Sequence, residues 1–177
     1  LIDCSKNFRH FELFTSGESH GKFGEFVRHG LDYQNWLKNL RKFANEAKYV
    51  NIHNMMTISA MSLFGITEFL DDIVMLKKEY NNKTQFHLSV NILRFPSFQS
   101  VNILPQYIKN ERAMAIEDWL TKNKQELCAD ELASIERLIS YLLNIDKSYE
   151  DQDTYENKQN DFITSLVNMQ SVEISTY

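Results

Sequence analysis

Three side chains in the first thirty residues have types and spacing suited to chemistry. Ser16 and Glu18 close a strand-like run, and Arg28 follows ten residues after Glu18 across a glycine-bearing segment. A hydroxyl and a carboxylate would stand there at the C-terminal end of the first strand, where α/β barrels keep their sites. A guanidinium fork matches a carboxylate in two parallel hydrogen bonds. The plainer reading makes Ser16-Gly17 a turn and pairs Arg28 with Glu25 or Asp32 on the surface. Two further polar groups sit where later strands should end: Asn54 with Met56 and Thr57, and Asn91 with Leu93 and Arg94. These residues could line a cavity, or be strand-end groups satisfied by neighbouring loops. Arg94 could anchor a substrate carboxylate.

Other reactive residue types point nowhere so definite. His10, His20, His29, His53 and His87 have no HxxxH or similar metal-ligand spacing, although His53 and His87 could neighbour one another on adjacent parallel strands. Cys4 and Cys128 form no metal-spaced pair. Their scarcity predicts free thiols in a reducing compartment, so no metal site is expected. Met55, Met56, Met61 and the aromatic set Tyr33, Trp36, Phe43, Phe64 and Phe69 read first as core.

The elements that must position these groups follow from periodicity. Alternation predicts strands over His10–Thr15, Tyr49–Thr57 and Gln85–Ile92. Helical spacing predicts one helix opening at the N-cap Asp32, through Tyr33, Trp36, Leu37, Leu40 and Phe43, and a second over Thr67–Tyr80. Four of the five glycines fall between Gly17 and Gly30, which marks that stretch as a loop. After Pro96 the pattern turns irregular, and beyond Pro105 it reads helical: to about Glu126, from Asp130 to about Asn144, and over Tyr155–Met169 after an acidic stretch at Asp146–Asp153. Strand–helix–strand–helix–strand is the pattern of a parallel α/β sheet. Residues 1–104 are therefore expected to form the α/β portion, and residues 105–177 a mostly helical C-terminal extension.

Composition narrows the classes. The chain has 177 residues, 43% hydrophobic and 24% charged, enough for a packed core. A formal charge of −5 argues against non-specific nucleic-acid binding, which needs clustered Lys and Arg. No apolar run reaches the roughly 20 residues of a membrane span, and no signal-peptide pattern opens the sequence, so a cytoplasmic chain is expected. An opening Leu1 in place of methionine predicts a processed product or a fragment.

Three segments, taken in order, resemble radical S-adenosylmethionine (SAM) proteins that carry a twitch-type C-terminal domain. They are Phe11–Leu40 (FELFTSGESHGKFGEFVRHGLDYQNWLKNL), Met55–Lys77 with its ITEFLDDIVMLK helix, and Val90–Leu120, which contains Leu-Arg-Phe-Pro and Ile-Leu-Pro. The resemblance implies the C-terminal half of a partial (β/α)6 barrel, a partial TIM barrel contributing to a SAM and substrate pocket. Ser16 and Glu18 would then face the SAM ribose and Arg28 the SAM carboxylate. Asn54, Asn91 and Leu93 would line the cavity or hold the adenine, and Arg94 would meet the substrate, a peptide or a small metabolite. The family's chemistry uses a 4Fe–4S cluster held by a CxxxCxxC loop. This sequence contains neither that loop nor the Gly-Gly-Glu strand that receives the SAM amino group. The resemblance thus implies an enzyme completed by an N-terminal half or a protein partner covering the open sheet edge and inactive alone, with SAM and the 4Fe–4S cluster held by the intact enzyme and neither expected on this chain by itself. The competing expectation is a non-catalytic assembly protein that retains the fold.

Overall fold

The computed structural model describes residues 1–47 and 50–144, together with residues 160 and 164. After a short helix α1 (Ile2–Ser5) the chain runs β1 (Phe11–Ser16), α2 (Gly21–Val27), α3 (Tyr33–Glu46), β2 (Val50–Ile58), α4 (Ile66–Tyr80), β3 (Gln85–Ile92), α5 (Gln106–Asn123) and α6 (Ala129–Leu143). The three strands form one parallel sheet in the order β1-β2-β3. The expected strands are thus present, parallel and neighbours in sequence order. β1 lies one residue later than the alternation indicated, and Tyr49 lies outside the described residues. The expected helix at Tyr155–Met169 and the acidic stretch before it also lie outside them, apart from Asn160 and Thr164.

The two faces of the sheet differ in kind. Register places Phe11, Leu13 and Thr15 beside Val50, Ile52 and Asn54, and Ile52, Asn54, Met56 and Ile58 beside Phe86, Leu88, Val90 and Ile92. The β2 and β3 members of this face, except the half-buried Ile92, are buried. Helices α3 and α4 cover it: Phe43 of α3 packs on Phe11, and Tyr80 of α4 packs on Phe86. Asp32 caps α3 by accepting a hydrogen bond from Asn35 N–H at 2.9 Å. Leu37, Leu40, Phe43 and Ala44 form that helix's buried stripe. The opposite face carries Glu12, Phe14, Ser16, Asn51, His53, Met55, Thr57, Gln85, His87, Ser89 and Asn91, all half-buried or exposed.

Among the described residues no strand lies beside the outer edge of β3, and α6 takes that place. Glu131, buried at 2% exposure, accepts Leu88 N–H at 2.8 Å, and Arg137 Nη2 donates to Val90 C=O at 2.6 Å. Glu131 also accepts Cys128 N–H at 2.9 Å at the start of α6 and pairs with Lys77 of α4. One side chain thus ties helix, helix and strand together, satisfying an edge amide that would otherwise be exposed. The outer edge of β1 has no strand partner among the described residues. One hydrophobic core runs from Tyr33 through the sheet to Ile116, Ile135 and Leu142 of α5 and α6. No described helix is long and apolar enough to cross a membrane.

Candidate ligand cleft at the strand ends

In a parallel sheet all strands end on the same side, and the connecting loops there can converge on one ligand. Here the loop after β1 turns at Gly17. A β-carbon at that position would lie 2.9 Å from the Phe69 ring and 3.0 Å from the Trp36 ring, so only glycine passes beneath α3 and α4. From the core side, Asn54 Nδ2 donates to Gly17 C=O at 3.0 Å. His20 N–H donates to Gly65 C=O at 3.0 Å, which anchors the start of α2 to the loop before α4. Gly24 allows α2 to lie directly on Ser19, because a β-carbon there would fall 2.4 Å from Ser19 C=O. Phe23 of α2 stacks on Phe64, with centroids 5.9 Å apart. So the glycine-rich segment, expected as a loop, folds into a short helix that stands at the mouth of the sheet. Its glycines serve close packing as well as turning.

The loops after β2 and β3 meet beside it. Leu93 N–H donates to Ile58 C=O and Ala60 N–H to Gln99 C=O, both at 2.9 Å. Together these segments enclose a cleft of about 390 Å³. Its lining comes from Glu18, Phe26, Val27 and Arg28 of the segment after β1, from Thr57 at the end of β2 with Ser59, Ala60 and Met61 beyond it, and from Leu93, Phe98 and Gln99 after β3.

The polar centre of the cleft is the Glu18–Arg28 pair. Arg28 Nε donates to Glu18 Oε2 at 3.2 Å, and Nη2 donates to Oε1. Glu18 is buried at 5% exposure, whereas the Arg28 side chain remains 44% exposed. The bond from Glu18 raises the guanidinium's pKa above its ordinary value, with burial acting in the opposite direction. Arg28 therefore pairs with neither Glu25 nor Asp32. Glu25 instead accepts Tyr33 N–H at 3.0 Å, and Asp32 caps α3.

Of the residues singled out from the sequence as candidate site groups, Glu18, Arg28, Thr57 and Leu93 come together in this cleft, whereas Met56 is buried on the helix-covered face. Ser16 ends β1 on the uncovered face, half-buried, and is not among the lining residues. Asn54 is buried on the helix-covered face, where it holds Gly17. Asn91 and Arg94 are exposed and stand outside the lining. Sequence reasoning missed Phe26, Ser59, Phe98 and Gln99. The available signal was position: each lies a few residues beyond a strand end or on the segment that faces it.

A second cluster crosses the uncovered face. Register aligns Phe14, His53 and His87 across the three strands. Phe14 stacks on His53 at 4.7 Å and 15°, and His53 stacks on His87 at 4.8 Å and 17°. The neighbouring histidines expected on adjacent strands are therefore present as a stacked pair. Burial holds the His87 pKa below its ordinary value, and the adjacent His53 adds to the effect. Both cysteines are exposed and unpaired in disulfides, and no three potential metal ligands converge among the described residues.

Comparison with protein-family models, with curated proteins and with solved structures returns no match to this chain.

Proposed function

We propose that this chain supplies the C-terminal part of a radical SAM-type site: a half of a partial barrel whose strand ends contribute to the SAM and substrate pocket. The observation that carries the proposal is the meeting of Glu18, Arg28 and Leu93, from three separate segments, in one cleft at the C-terminal mouth of a parallel sheet. The donor set suits SAM. A guanidinium suits its carboxylate, the hydroxyls of Thr57 and Ser59 suit a polar flank, and Phe26, Met61, Leu93 and Phe98 offer apolar surface to a planar base.

The cysteines do not suit the cluster. A 4Fe–4S centre on three thiolates cannot stand on Cys4 and Cys128 alone, so it belongs in this proposal to a polypeptide outside this sequence. The sheet face left without a helix among the described residues supports such a partner. All-parallel sheets are almost always covered on both faces, and this one presents polar and aromatic side chains rather than an apolar bed for helices. Such a surface fits the wall of a polar chamber, completed by the other half of the barrel and admitting a peptide or small metabolite. The same face also favours the second reading, a non-catalytic assembly protein, in which a partner sits on the sheet and the cleft stays without a ligand.

Equilibrium dialysis with SAM separates the two. A charge-assisted fork contributes about 1.5–3 kcal/mol and a neutral hydroxyl about 0.5–1.5 kcal/mol. Arg28→Ala should therefore weaken SAM retention more than Ser59→Ala. Equal retention by the wild-type chain and Arg28→Ala would favour the assembly reading.

A further inference from the structure

We propose that Glu18 is a positioning residue for Arg28 and makes no contact with the ligand itself; the inference rests on the SAM reading of the cleft. Glu18 directs both carboxylate oxygens at one guanidinium, and it is 5% exposed. Each of its oxygens already accepts from the guanidinium, and its enclosure leaves little room for a ligand to reach the remaining lone pairs. Arg28 is the reverse: its side chain is 44% exposed. A guanidinium carries five N–H donors, and Glu18 takes one from Nε and one from Nη2. The end-on edge, formed by Nη1 and the second Nη2 hydrogen, is not used by Glu18 and can present a second fork to a carboxylate.

The backbone makes such a brace necessary. Arg28 follows the last residue of α2 with φ −126° and ψ 89°, outside the helix, so the helix does not fix its side chain. Without Glu18, a long flexible side chain would have to be ordered at each binding event, and that entropy would come out of the affinity. With Glu18 the fork stands ready before the ligand arrives. The coupling also runs the other way, because a buried carboxylate deprived of its cation is strongly disfavoured.

The test uses the full chain with two probes, SAM and decarboxylated SAM, which lacks only the carboxylate. Wild type, Glu18→Gln, Arg28→Ala and the double variant are compared by calorimetry, with Glu18→Asp as a milder substitution should Glu18→Gln fail to fold. The expected result is a loss of SAM affinity of about tenfold in Glu18→Gln, no change for decarboxylated SAM, and no further loss in the double variant than in Arg28→Ala alone. Equal losses for both probes, or additive losses in the double variant, would place Glu18 on the ligand and overturn the proposal. If the wild-type chain takes up neither probe, the SAM reading fails separately, and proton exchange at Arg28 Nε–H decides the role of Glu18. Slow exchange in wild type that becomes fast in Glu18→Gln supports positioning, whereas the same rate in both overturns it.

Discussion

Glu131 shows how much one buried carboxylate can organise. It accepts hydrogen bonds from Leu88 N–H and Cys128 N–H and pairs with Lys77, so strand edge, helix start and α4 share one acceptor. Lys77 donates in addition to Glu126 C=O at 3.2 Å. Removing one partner of such a buried pair leaves the other uncompensated, which costs about 3–5 kcal/mol. Glu131→Ala should therefore lower the unfolding free energy by that order in urea denaturation. A loss below about 1 kcal/mol, the scale of an ordinary hydrogen bond, would mean that apolar packing alone holds α6 to β3. His87 gives a pH dependence of definite sign. Burial and the adjacent His53 depress its pKa below the ordinary value of 6.5, so the folded chain takes up this proton less readily than the unfolded one. The associated stability is complete above pH 6.5 and is lost as pH falls through 6.5 towards the depressed folded value. Urea denaturation between pH 7.5 and 5 should show this loss in the wild type and a smaller one in His87→Gln. Identical profiles would remove His87 as its source.

At the scale of elements, the strands and the two crossover helices were legible because each obeys one period. The alternation Phe86, Leu88, Val90 against His87 and Ser89 reads directly as a half-buried strand, and β3 has those bounds. Helix α2 was not legible. A seven-residue segment containing Gly21 and Gly24 has poor intrinsic helix propensity, and it forms because Phe23, Gly24 and Val27 find partners that only the folded chain supplies. The same dependence yields a prediction. Gly24→Ala would place a β-carbon 2.4 Å from Ser19 C=O, a backbone atom that cannot swing aside. Helix α2 should shift away from the mouth, at a cost of about 1–3 kcal/mol, measurable by thermal unfolding. The Arg28 fork should move with it. A variant as stable as wild type would show that the loop relaxes at no cost.

The described residues form a parallel sheet with helices on one face, a helix along one edge and a ligand-sized cleft at the strand ends. Its gross plan was readable from strand–helix alternation, and the location of a site at the strand ends followed from the plan. Which polar groups would meet was not readable, because that depends on where loops fold back. Asn54 and Thr57 lie three residues apart on β2 and so on opposite faces, which sends one into the core to hold Gly17 and the other to the cleft lining. The two sheet edges also differ in a way the sequence did not disclose. The half-barrel reading leaves the β1 edge to be covered by an N-terminal half or a partner, whereas α6 closes the opposite edge at β3. Amide hydrogen exchange should therefore find Leu88 N–H well protected and the β1 amides facing away from β2 exchanging at least an order of magnitude faster. Equal protection at both edges would show that something covers β1 in solution.

SAM binding at the strand-end cleft is the reading proposed for this chain. It is tested most directly by titrating SAM into the isotopically labelled chain and mapping chemical-shift changes onto its residues, a measurement that registers weak binding as well as strong. The account predicts saturable shifts concentrated at Glu18, Phe26, Arg28, Thr57, Ser59 and Leu93, and greatly reduced in Arg28→Ala. Shifts scattered over the surface, concentrated around the Phe14, His53 and His87 stack, or unchanged by Arg28→Ala would contradict it.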